Sequence, residues 1–254
     1  MRSIIRFITL PLILAGALAG CSLPAEPQDD LGQVTLADSQ LNDAYTYFAI
    51  TADVRRCAFP TCGGWFLSRV NKTTTQCHDG RYASSCYTPV LDWSQAYLSD
   101  EQQGQLLEAC SRDTASGGVY GVVRGSFART NSTTPRPGMG RFVISEAWIT
   151  DADALSDGVF VKVKDNGLRC FTSPCPSLTE TTLNNSRVTD IAAIDFTPSG
   201  MNDNEIAELM QTTATPEGVM VAGYRYTVRE NGTTALGRTA TTGYYCLTPT
   251  LPPE

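Results

Sequence analysis

The chain has 254 residues, of which 42% are hydrophobic and 18% are charged, and its formal net charge is −7 at pH 7. This composition is typical of a globular protein, and it excludes a disordered chain, a coiled coil and a polytopic membrane protein. The acidic balance leaves no basic stripe that could neutralise phosphates, so we expect no nucleic-acid partner.

The N-terminal segment has the pattern of a secretory signal. Arg2 and Arg6 precede an apolar run from Phe7 to Leu18, which is too short to count as a membrane-spanning helix. The run ends in Leu18-Ala-Gly-Cys21, which resembles the lipobox of bacterial lipoproteins. This resemblance implies cleavage before Cys21 and acylation of that cysteine, which would anchor the chain stably in a membrane. An ordinary cleaved signal peptide is the alternative.

We therefore assign residues 1–20 to a lipoprotein signal peptide and residues 21–44 to the acylated cysteine and a flexible tether. Residues 22–40 are acidic, contain proline and lack a periodic apolar pattern, as expected for a solvated linker. Ser22 follows the cysteine, whereas the inner-membrane retention signal of lipoproteins has aspartate there. We expect a lipid-anchored protein of the cell envelope, held at the outer membrane and facing the periplasm or the surface.

Two parts of the chain share one pattern. Tyr45–Cys62 matches Gly158–Cys175 at a constant offset of 113 residues, and both segments are alternating apolar strands that run into Arg-Cys-x4-Cys. Val90–Ser94 matches Ala193–Thr197 at an offset of 103. The first copy therefore holds ten additional residues, which is the length of the segment Cys77–Cys86.

Each copy also contains one helix signal. Ser99 and Asn202 begin equivalent capping boxes, because Gln102 and Glu205 follow three residues later. A long hairpin follows each helix. We predict an α+β fold of two pseudo-symmetric β-rich repeats, each a mainly antiparallel sheet with one helix, stapled by disulfides. The predicted segments are repeat 1 at 45–150, a linker at 151–157, repeat 2 at 158–247 and a tail at 248–254.

Eight cysteines remain when Cys21 is set aside, and export to an oxidising compartment favours four disulfide bonds. Symmetry between the copies predicts the pairs Cys57–Cys62, Cys170–Cys175, Cys77–Cys86 and Cys110–Cys246, of which the last would join the copies. Nested pairing, such as Cys57–Cys86 with Cys62–Cys77, is the alternative. Zinc is the competing use of cysteine, but the chain has no Cys-x-x-Cys and one histidine, His78, so we expect neither metal nor cofactor.

No catalytic motif is present. The single histidine argues against a Ser-His-Asp triad, and the chain has no His-Glu-x-x-His, no P-loop and no Gly-x-Gly-x-x-Gly. Asp92 and Asp195 occupy matching positions and could form the acid–base pair of a hydrolase, or each could cap a turn. We expect a non-enzymatic protein without catalytic residues, and we keep the hydrolase as an alternative.

The Cys-x4-Cys loops are the candidate binding sites. A disulfide-closed loop loses little conformational entropy on binding, so it suits recognition or the inhibition of a protease. A purely structural staple is the other interpretation. The candidate residues are Arg55, Arg56, Phe59, Pro60, Trp65 and Phe171. We expect contact with the membrane through Cys21 and with a protein or envelope component through these loops, with a proteinase inhibitor as the alternative function.

Several of these residues together resemble a known family. The pattern Arg56-Cys57-x4-Cys62-Gly-Gly-Trp-Phe, followed by Cys77-x-Asp-Gly and Cys86-Tyr, is similar to that of an uncharacterised family of cysteine-rich secreted bacterial proteins and lipoproteins, known as a domain of unknown function. Cys170-x4-Cys175-Pro resembles the other half of that family. The resemblance covers most of residues 45–247. It implies export and a cysteine framework, and it implies no activity or catalytic residue.

Overall fold

A computed structural model describes residues 46–112, 118–128, 139–152, 155–185 and 187–248. The predicted signal peptide 1–20, Cys21 and the tether 21–44 lie outside these ranges, as do residues 249–254 of the predicted tail. No helix in the described ranges is both long enough and apolar enough to cross a bilayer.

The chain forms short strands, long hairpins and two α-helices within the described ranges. The N-terminal part contains β1 (Thr46–Ala52), β2 (Trp65–Arg69), β3 (Thr75–Gln76), β4 (Tyr82–Ala83), β5 (Cys86–Thr88), β6 (Val90–Asp92), α1 (Asp100–Cys110), β7 (Gly121–Ala128) and β8 (Arg141–Ile149). The C-terminal part contains β9 (Val159–Asp165), β10 (Leu178–Thr182), β11 (Val188–Ile191), β12 (Ala193–Asp195), α2 (Asp203–Gln211), β13 (Val219–Glu230) and β14 (Thr233–Cys246). Short 3-10 helices lie at Thr197–Ser199 and Thr212–Ala214.

Twelve of the described strands form one sheet. Ten of them follow the order β11-β10-β9-β13-β14-β8-β7-β1-β2-β5, while β12 adds to β14 and β6 adds to β8. Most neighbours are antiparallel, and the pairs β6–β8 and β12–β14 are parallel. β3 and β4 form a separate hairpin. We refer to β1, β2 and β5–β8 as the first half of the sheet and to β9–β14 as the second half.

The predicted fold class, two repeats that each carry a sheet and a helix, is wrong. Tyr245 and Cys246 at the end of β14 pair with Ile149 and Trp148 of β8, so the halves form one continuous sheet. The physical reason is the length of β14, which has 14 residues. Its last two residues extend past the pairing with β13. Their backbone groups need hydrogen-bond partners, which β8 supplies.

Both ends of the sheet curl back towards its middle. β5 pairs with β2, whereas β6, one residue further along the chain, pairs with β8. In the same way β11 pairs with β10 and β12 pairs with β14. Each half therefore curves around one of its faces. Since successive residues of a strand point to opposite faces, every second side chain points into the enclosed space.

The buried apolar side chains form three cores among the described residues. The first core lies in the first half and includes Leu106 and Cys110 of α1. The second core lies in the second half and includes Leu209 of α2. The central core draws on both halves, and its members are Val70, Val122, Trp148, Phe160, Leu183, Met220, Ala222 and Tyr244. Burial of these side chains is the main stabilising contribution to the joined fold.

Both helices begin where the capping boxes predict. The backbone N–H of Gln102 donates to the Ser99 hydroxyl at 3.2 Å, and the Ser99 N–H donates to the Gln102 side chain at 2.9 Å. Asn202 and Glu205 make the same reciprocal bonds at 3.1 and 2.8 Å. Each box satisfies amide groups that the first helical turn leaves without partners, and such a cap contributes about 1 kcal/mol.

Two asparagines tie the halves together through matching hydrogen bonds. Asn71 follows β2; its side-chain oxygen accepts from the Phe160 N–H at 2.9 Å, and its Nδ2 donates to the Phe160 carbonyl at 2.7 Å. Asn184 follows β10 and makes the same two contacts with the backbone of Tyr47, also at 2.9 and 2.7 Å. Each asparagine therefore binds the first residues of a strand in the other half.

A charged group also links the halves. The Glu146 carboxylate on β8 accepts from Arg124 at 2.6 Å, from the Tyr47 hydroxyl at 2.9 Å and from Lys162 of β9 at 3.4 Å. Burial raises the pKa of Glu146, but Lys162 and Arg124 outweigh burial and hold the pKa below its usual range. Glu146 is therefore an ionised carboxylate shared between both halves.

Candidate functional site

The first Cys-x4-Cys loop follows β1 and is closed by a disulfide between Cys57 and Cys62. Nε and Nη2 of Arg55 donate to the buried Asp53 carboxylate at 2.8 and 2.9 Å, and Nη2 also donates to the Thr61 carbonyl at 3.1 Å. These bonds hold the pKa of Asp53 below its usual range, because they favour the charged carboxylate. Arg55 therefore fixes the loop against the end of β1.

The other candidate residues of this loop divide into packed and exposed side chains. Pro60 is buried, and its carbonyl accepts from the Tyr87 hydroxyl at 2.7 Å. Trp65 begins β2 and packs, partly buried, against the first core. Phe59 is 58% exposed, and Arg56 is also exposed. The first loop therefore exposes the aromatic side chain of Phe59, and Arg56, directly before the ring, is exposed as well.

The second loop follows β9 and is closed by a disulfide between Cys170 and Cys175. Arg169 donates to both oxygens of Asp165, at 3.0 and 2.6 Å, just before the ring. Hydrogen bonding from Arg169 lowers the pKa of Asp165 to about 2. Phe171 is fully exposed. Both predicted loops therefore carry an exposed phenylalanine inside a six-residue disulfide ring.

Of the two remaining predicted disulfide pairs, one forms and the other does not. Cys77 and Cys86 are bonded, so all three local pairs form and the nested alternative is excluded. The predicted bridge between Cys110 and Cys246 is absent, because both are free thiols.

The sheet itself separates these two thiols. Cys110 packs in the first core and lies so close to Gly121 that a Cβ atom there would be 2.5 Å from its sulfur. Cys246 packs against the central core and pairs with Trp148. Ala147 and Trp148 are neighbours on β8 but belong to the first and the central core, so the two cores lie on opposite faces.

A thiol count tests this assignment. For a chain that begins at Ser22, we expect two thiols per molecule after denaturation without reductant. We expect almost no reaction in the native state, because burial raises the pKa of Cys110 well above its usual range and that of Cys246 to about 11, and the thiolate is the reactive form. Titration with a chromogenic disulfide reagent measures both states. A denatured count of zero would mean that the bridge forms in solution.

The two aspartates considered for catalysis are held in local structure. Asp92 accepts from the Ser94 N–H at 3.0 Å and pairs with Arg141 at 3.2 Å, and Asp195 accepts from the Thr197 N–H at 2.9 Å. Hydrogen bonds from Ser94 and Thr197 lower the two pKa values, so neither carboxyl group is suited to donate a proton near neutral pH. In the part of the chain that the structure describes, no group of three or more His, Cys, Asp or Glu side chains could hold a metal ion.

The structure also contains a pocket that sequence reasoning missed. It has a volume of about 240 Å³. Among the residues that line it are Phe48, Arg69, Gln76, His78, Ser126 and Phe127. We call it the His78 pocket. The sequence signal was the chain's one histidine beside Cys77, but no local pattern shows that this segment folds over β1 and β7.

The turn that carries His78 is held from several sides. The Cys77 N–H donates to the Arg81 carbonyl at 2.7 Å, and the Gly80 N–H donates to the Cys77 carbonyl at 2.8 Å. His78 packs directly on Gly140, where an added Cβ would lie 2.5 Å from the His78 Cβ. Together with the disulfide to Cys86, these contacts give the histidine a defined position at the pocket wall.

This architecture defines a class of protein, a disulfide-stapled domain built on one large, mainly antiparallel sheet. The family model described as Domain of unknown function (DUF6748) matches residues 46–250, and the chain belongs to this family. The matched range begins at β1 and includes both disulfide rings and the His78 pocket. The membership in a family of unknown function that the cysteine pattern indicated is thereby confirmed. No curated protein and no solved structure matches the chain.

Proposed function

We propose that the chain is a lipid-anchored, non-enzymatic binding module of the cell envelope, which captures a protein partner with the disulfide rings 57–62 and 170–175. The observation that carries the proposal is the position of Phe171, which is fully exposed within a closed six-residue ring. A fully exposed aromatic side chain contributes nothing to the packing of its own chain. Its apolar surface is therefore available to another molecule.

The rings are held in place before a partner arrives. Arg55 ties the first ring to β1 through Asp53. In the second ring, the Thr233 hydroxyl at the tip of the β13–β14 hairpin donates to the Ser173 carbonyl at 3.2 Å. A loop held in one conformation loses less entropy on binding than a mobile loop, so more of the contact energy appears as affinity.

The exposed residues of the rings have the chemistry of interface anchors. Phe59 and Phe171 present apolar rings, and Arg56, three residues before Phe59 in the chain, is also exposed. Aromatic side chains and arginine are enriched at the centres of protein–protein interfaces. Burial of one phenylalanine against a partner contributes roughly 1.5–3 kcal/mol.

The anchoring part of the proposal is supported by the sequence that ends in Leu18-Ala-Gly-Cys21. With acylated Cys21 in the bilayer, the tether 21–44 would let the domain move at most roughly 80 Å from the membrane surface, at about 3.3–3.6 Å per extended residue. A partner within that distance, in the same membrane or close to it, is accessible to the rings.

Photocross-linking in intact envelopes tests the binding surface. We place a photoreactive phenylalanine analogue at position 171, at position 59 and, as a matched control, at Val188 of β11, which is as exposed as Phe59. We expect discrete adducts of defined mass from 171 and 59 and none of the same mass from 188. Opening the second ring by Cys170→Ser with Cys175→Ser should strongly reduce the adduct from 171. Identical adducts from all three positions, or none from either ring, would contradict the proposal, and a peptidase as partner would identify the inhibitor alternative.

The anchor is tested separately with Cys21→Ala. We expect this variant to be lost from carbonate-washed membranes, or to remain as the uncleaved precursor, while the soluble domain keeps the melting temperature of the wild type. Ser22→Ala is the control, because it changes the neighbouring residue without removing the acylated sulfur. Processed Cys21→Ala protein that stays fully with washed membranes would show that acylation is not the anchor.

A further inference from the structure

We infer that the His78 pocket binds a small organic anion, with its carboxylate at Arg69 and His78 and its apolar group on Phe48 and Phe127. This inference does not depend on the disulfide rings or on the membrane anchor. It rests on the residues that line the pocket and on the contacts that hold them in place.

The apolar side of the pocket is a packed aromatic group. The Phe48 ring meets the Phe127 ring edge to face at 5.9 Å and the Phe142 ring at 4.9 Å, and the rings of Phe127 and Phe142 are 5.0 Å apart. Phe48 is buried in the first core, so its ring cannot swing out to fill the space. The pocket therefore offers a fixed aromatic surface that water wets poorly, and an apolar group displaces that water favourably.

The polar side of the pocket carries positive charge. Arg69 contributes a guanidinium group, and its Nε donates to the Thr74 carbonyl at 3.1 Å, which fixes the direction of that group. His78, Gln76 and Ser126 add further groups that can donate hydrogen bonds. No carboxylate is present among the described residues that line the pocket. A guanidinium with adjacent hydrogen-bond donors matches a carboxylate, which accepts several hydrogen bonds at once.

The volume of the pocket and the net charge of the chain restrict the kind of ligand further. A volume of about 240 Å³ is below the range of roughly 300–1,000 Å³ that holds drug-sized ligands, so the ligand is small. The chain as a whole has a net charge of −7, which repels anions in general. An anion that binds here is therefore held by the local groups and not by the field of the whole protein.

The additional segment Cys77–Cys86 supplies one wall of this site. Cys77, His78 and Gly80 belong to this segment, Gln76 directly precedes it, and the matching stretch in the second half of the chain lacks these ten residues. The disulfide and the packing on Gly140 hold this loop in one position. A fixed position is what a wall of a binding pocket requires, because it keeps His78 in place before a ligand binds.

The one histidine makes a direct test possible. In a chain that begins at Ser22, the imidazole Cε1–H resonance of His78 is unique and reports on the pocket in NMR titrations. We use three probes: phenylacetate, which has both features; 2-phenylethanol, which keeps the ring without the charge; and acetate, which keeps the anion without the ring. We expect a saturable shift with phenylacetate and affinities at least roughly tenfold weaker for the other two.

Matched variants separate a site from a general charge effect. Arg69→Gln should weaken phenylacetate binding by at least roughly tenfold, because it removes the charged hydrogen-bond donor. Arg81→Gln removes the same charge from the adjacent β3–β4 hairpin, but Arg81 is largely exposed and pairs with Asp79, so this variant should bind as the wild type does. Ser126→Leu keeps the charge of Arg69 and fills the pocket, so it should abolish phenylacetate binding. It tests the pocket independently of Arg69→Gln, in case that variant folds poorly. Absence of a saturable shift at millimolar phenylacetate, equal binding of all three probes, or equal loss in both arginine variants would overturn the inference.

Discussion

Replacing Glu180 with glutamine is expected to lower the free energy of unfolding by about 3–5 kcal/mol, a large share of the stability of a domain of this size. Glu180 on β10 and Arg238 on β14 are completely buried, and Arg225 on β13 is 7% exposed. Equilibrium urea unfolding of the chain that begins at Ser22, without reductant, measures the change.

The reason is that one carboxylate serves two buried guanidinium groups. The Arg238 Nε donates to Glu180 Oε2 at 2.6 Å, and the Arg225 Nε donates to Glu180 Oε1 at 2.6 Å. Arg238 also donates to the Gly223 carbonyl at 2.8 Å, and Arg225 donates to the Thr189 hydroxyl at 2.8 Å. Glutamine keeps the shape of the side chain but removes the negative charge, which leaves two buried positive charges without compensation.

A surface pair and an apolar replacement complete this test. Asp151 pairs with Arg112 at 3.4 Å and is 74% exposed, so Asp151→Asn should change the stability by no more than about 1 kcal/mol. The triple variant Glu180→Leu, Arg225→Met, Arg238→Met removes all three charges, and it should recover most of the stability lost in Glu180→Gln. A Glu180→Gln variant as stable as Asp151→Asn would show that the cluster contributes little.

The features that short stretches of sequence determine were predictable. The capping boxes at Ser99 and Asn202 depend on residues three positions apart, and both form. The disulfides Cys57–Cys62 and Cys170–Cys175 join cysteines five residues apart, where the intervening chain leaves few other partners. Local hydrogen bonds and short loops depend little on the rest of the fold, so the sequence pattern is sufficient for them.

The pairing of distant segments was not predictable in the same way. Nothing in the alternation of β14 shows that Tyr245 and Cys246 leave β13 and pair with β8, because a strand pattern fixes its faces and not its partner. An even number of cysteines suggested that Cys110 and Cys246 pair. Their positions on opposite faces of one sheet depend on that same pairing, so both errors have one cause.

In the candidate sites, too, local features were predictable from the sequence and features that depend on distant residues were not. The rings were recognisable from Cys-x4-Cys, but the exposure of Phe171 and the burial of Pro60 depend on what packs against each ring. Glu180 lies in the sequence Leu-Thr-Glu-Thr-Thr and resembles a solvent-facing residue. Its arginine partners are 45 and 58 residues away, so only the folded sheet shows that it is buried.

Replacing Asn71 with glycine is expected to destabilise the junction between the halves by about 2–4 kcal/mol, because three hydrogen bonds to backbone groups are lost at roughly 0.5–1.5 kcal/mol each. The Asn71 side chain accepts from the Phe160 N–H and donates to the carbonyls of Phe160 and Leu183, at 2.9, 2.7 and 3.0 Å. Glycine is the informative replacement, since Asn71 has a φ of 59° and glycine adopts that conformation without strain.

Two other asparagines with a positive φ, Asn231 and Asn184, provide a control and a matching variant. Asn231 has a φ of 50° at the exposed tip of the β13–β14 hairpin, so Asn231→Gly keeps the conformation without removing a bond between the halves, and its stability should be close to that of the wild type. Asn184→Gly should resemble Asn71→Gly, because Asn184 makes the matching bonds to Tyr47 and Val70.

Hydrogen exchange of individual backbone amides distinguishes the effects of the two substitutions. The Phe160 amide should lose protection first in Asn71→Gly and the Tyr47 amide in Asn184→Gly, since each substitution removes the acceptor of one of these N–H groups. If Asn71→Gly were as stable as Asn231→Gly and left the exchange of Phe160 unchanged, the asparagine bonds would not hold the halves together. The central core, the β14–β8 pairing and the Glu146–Lys162 contact would then account for their association.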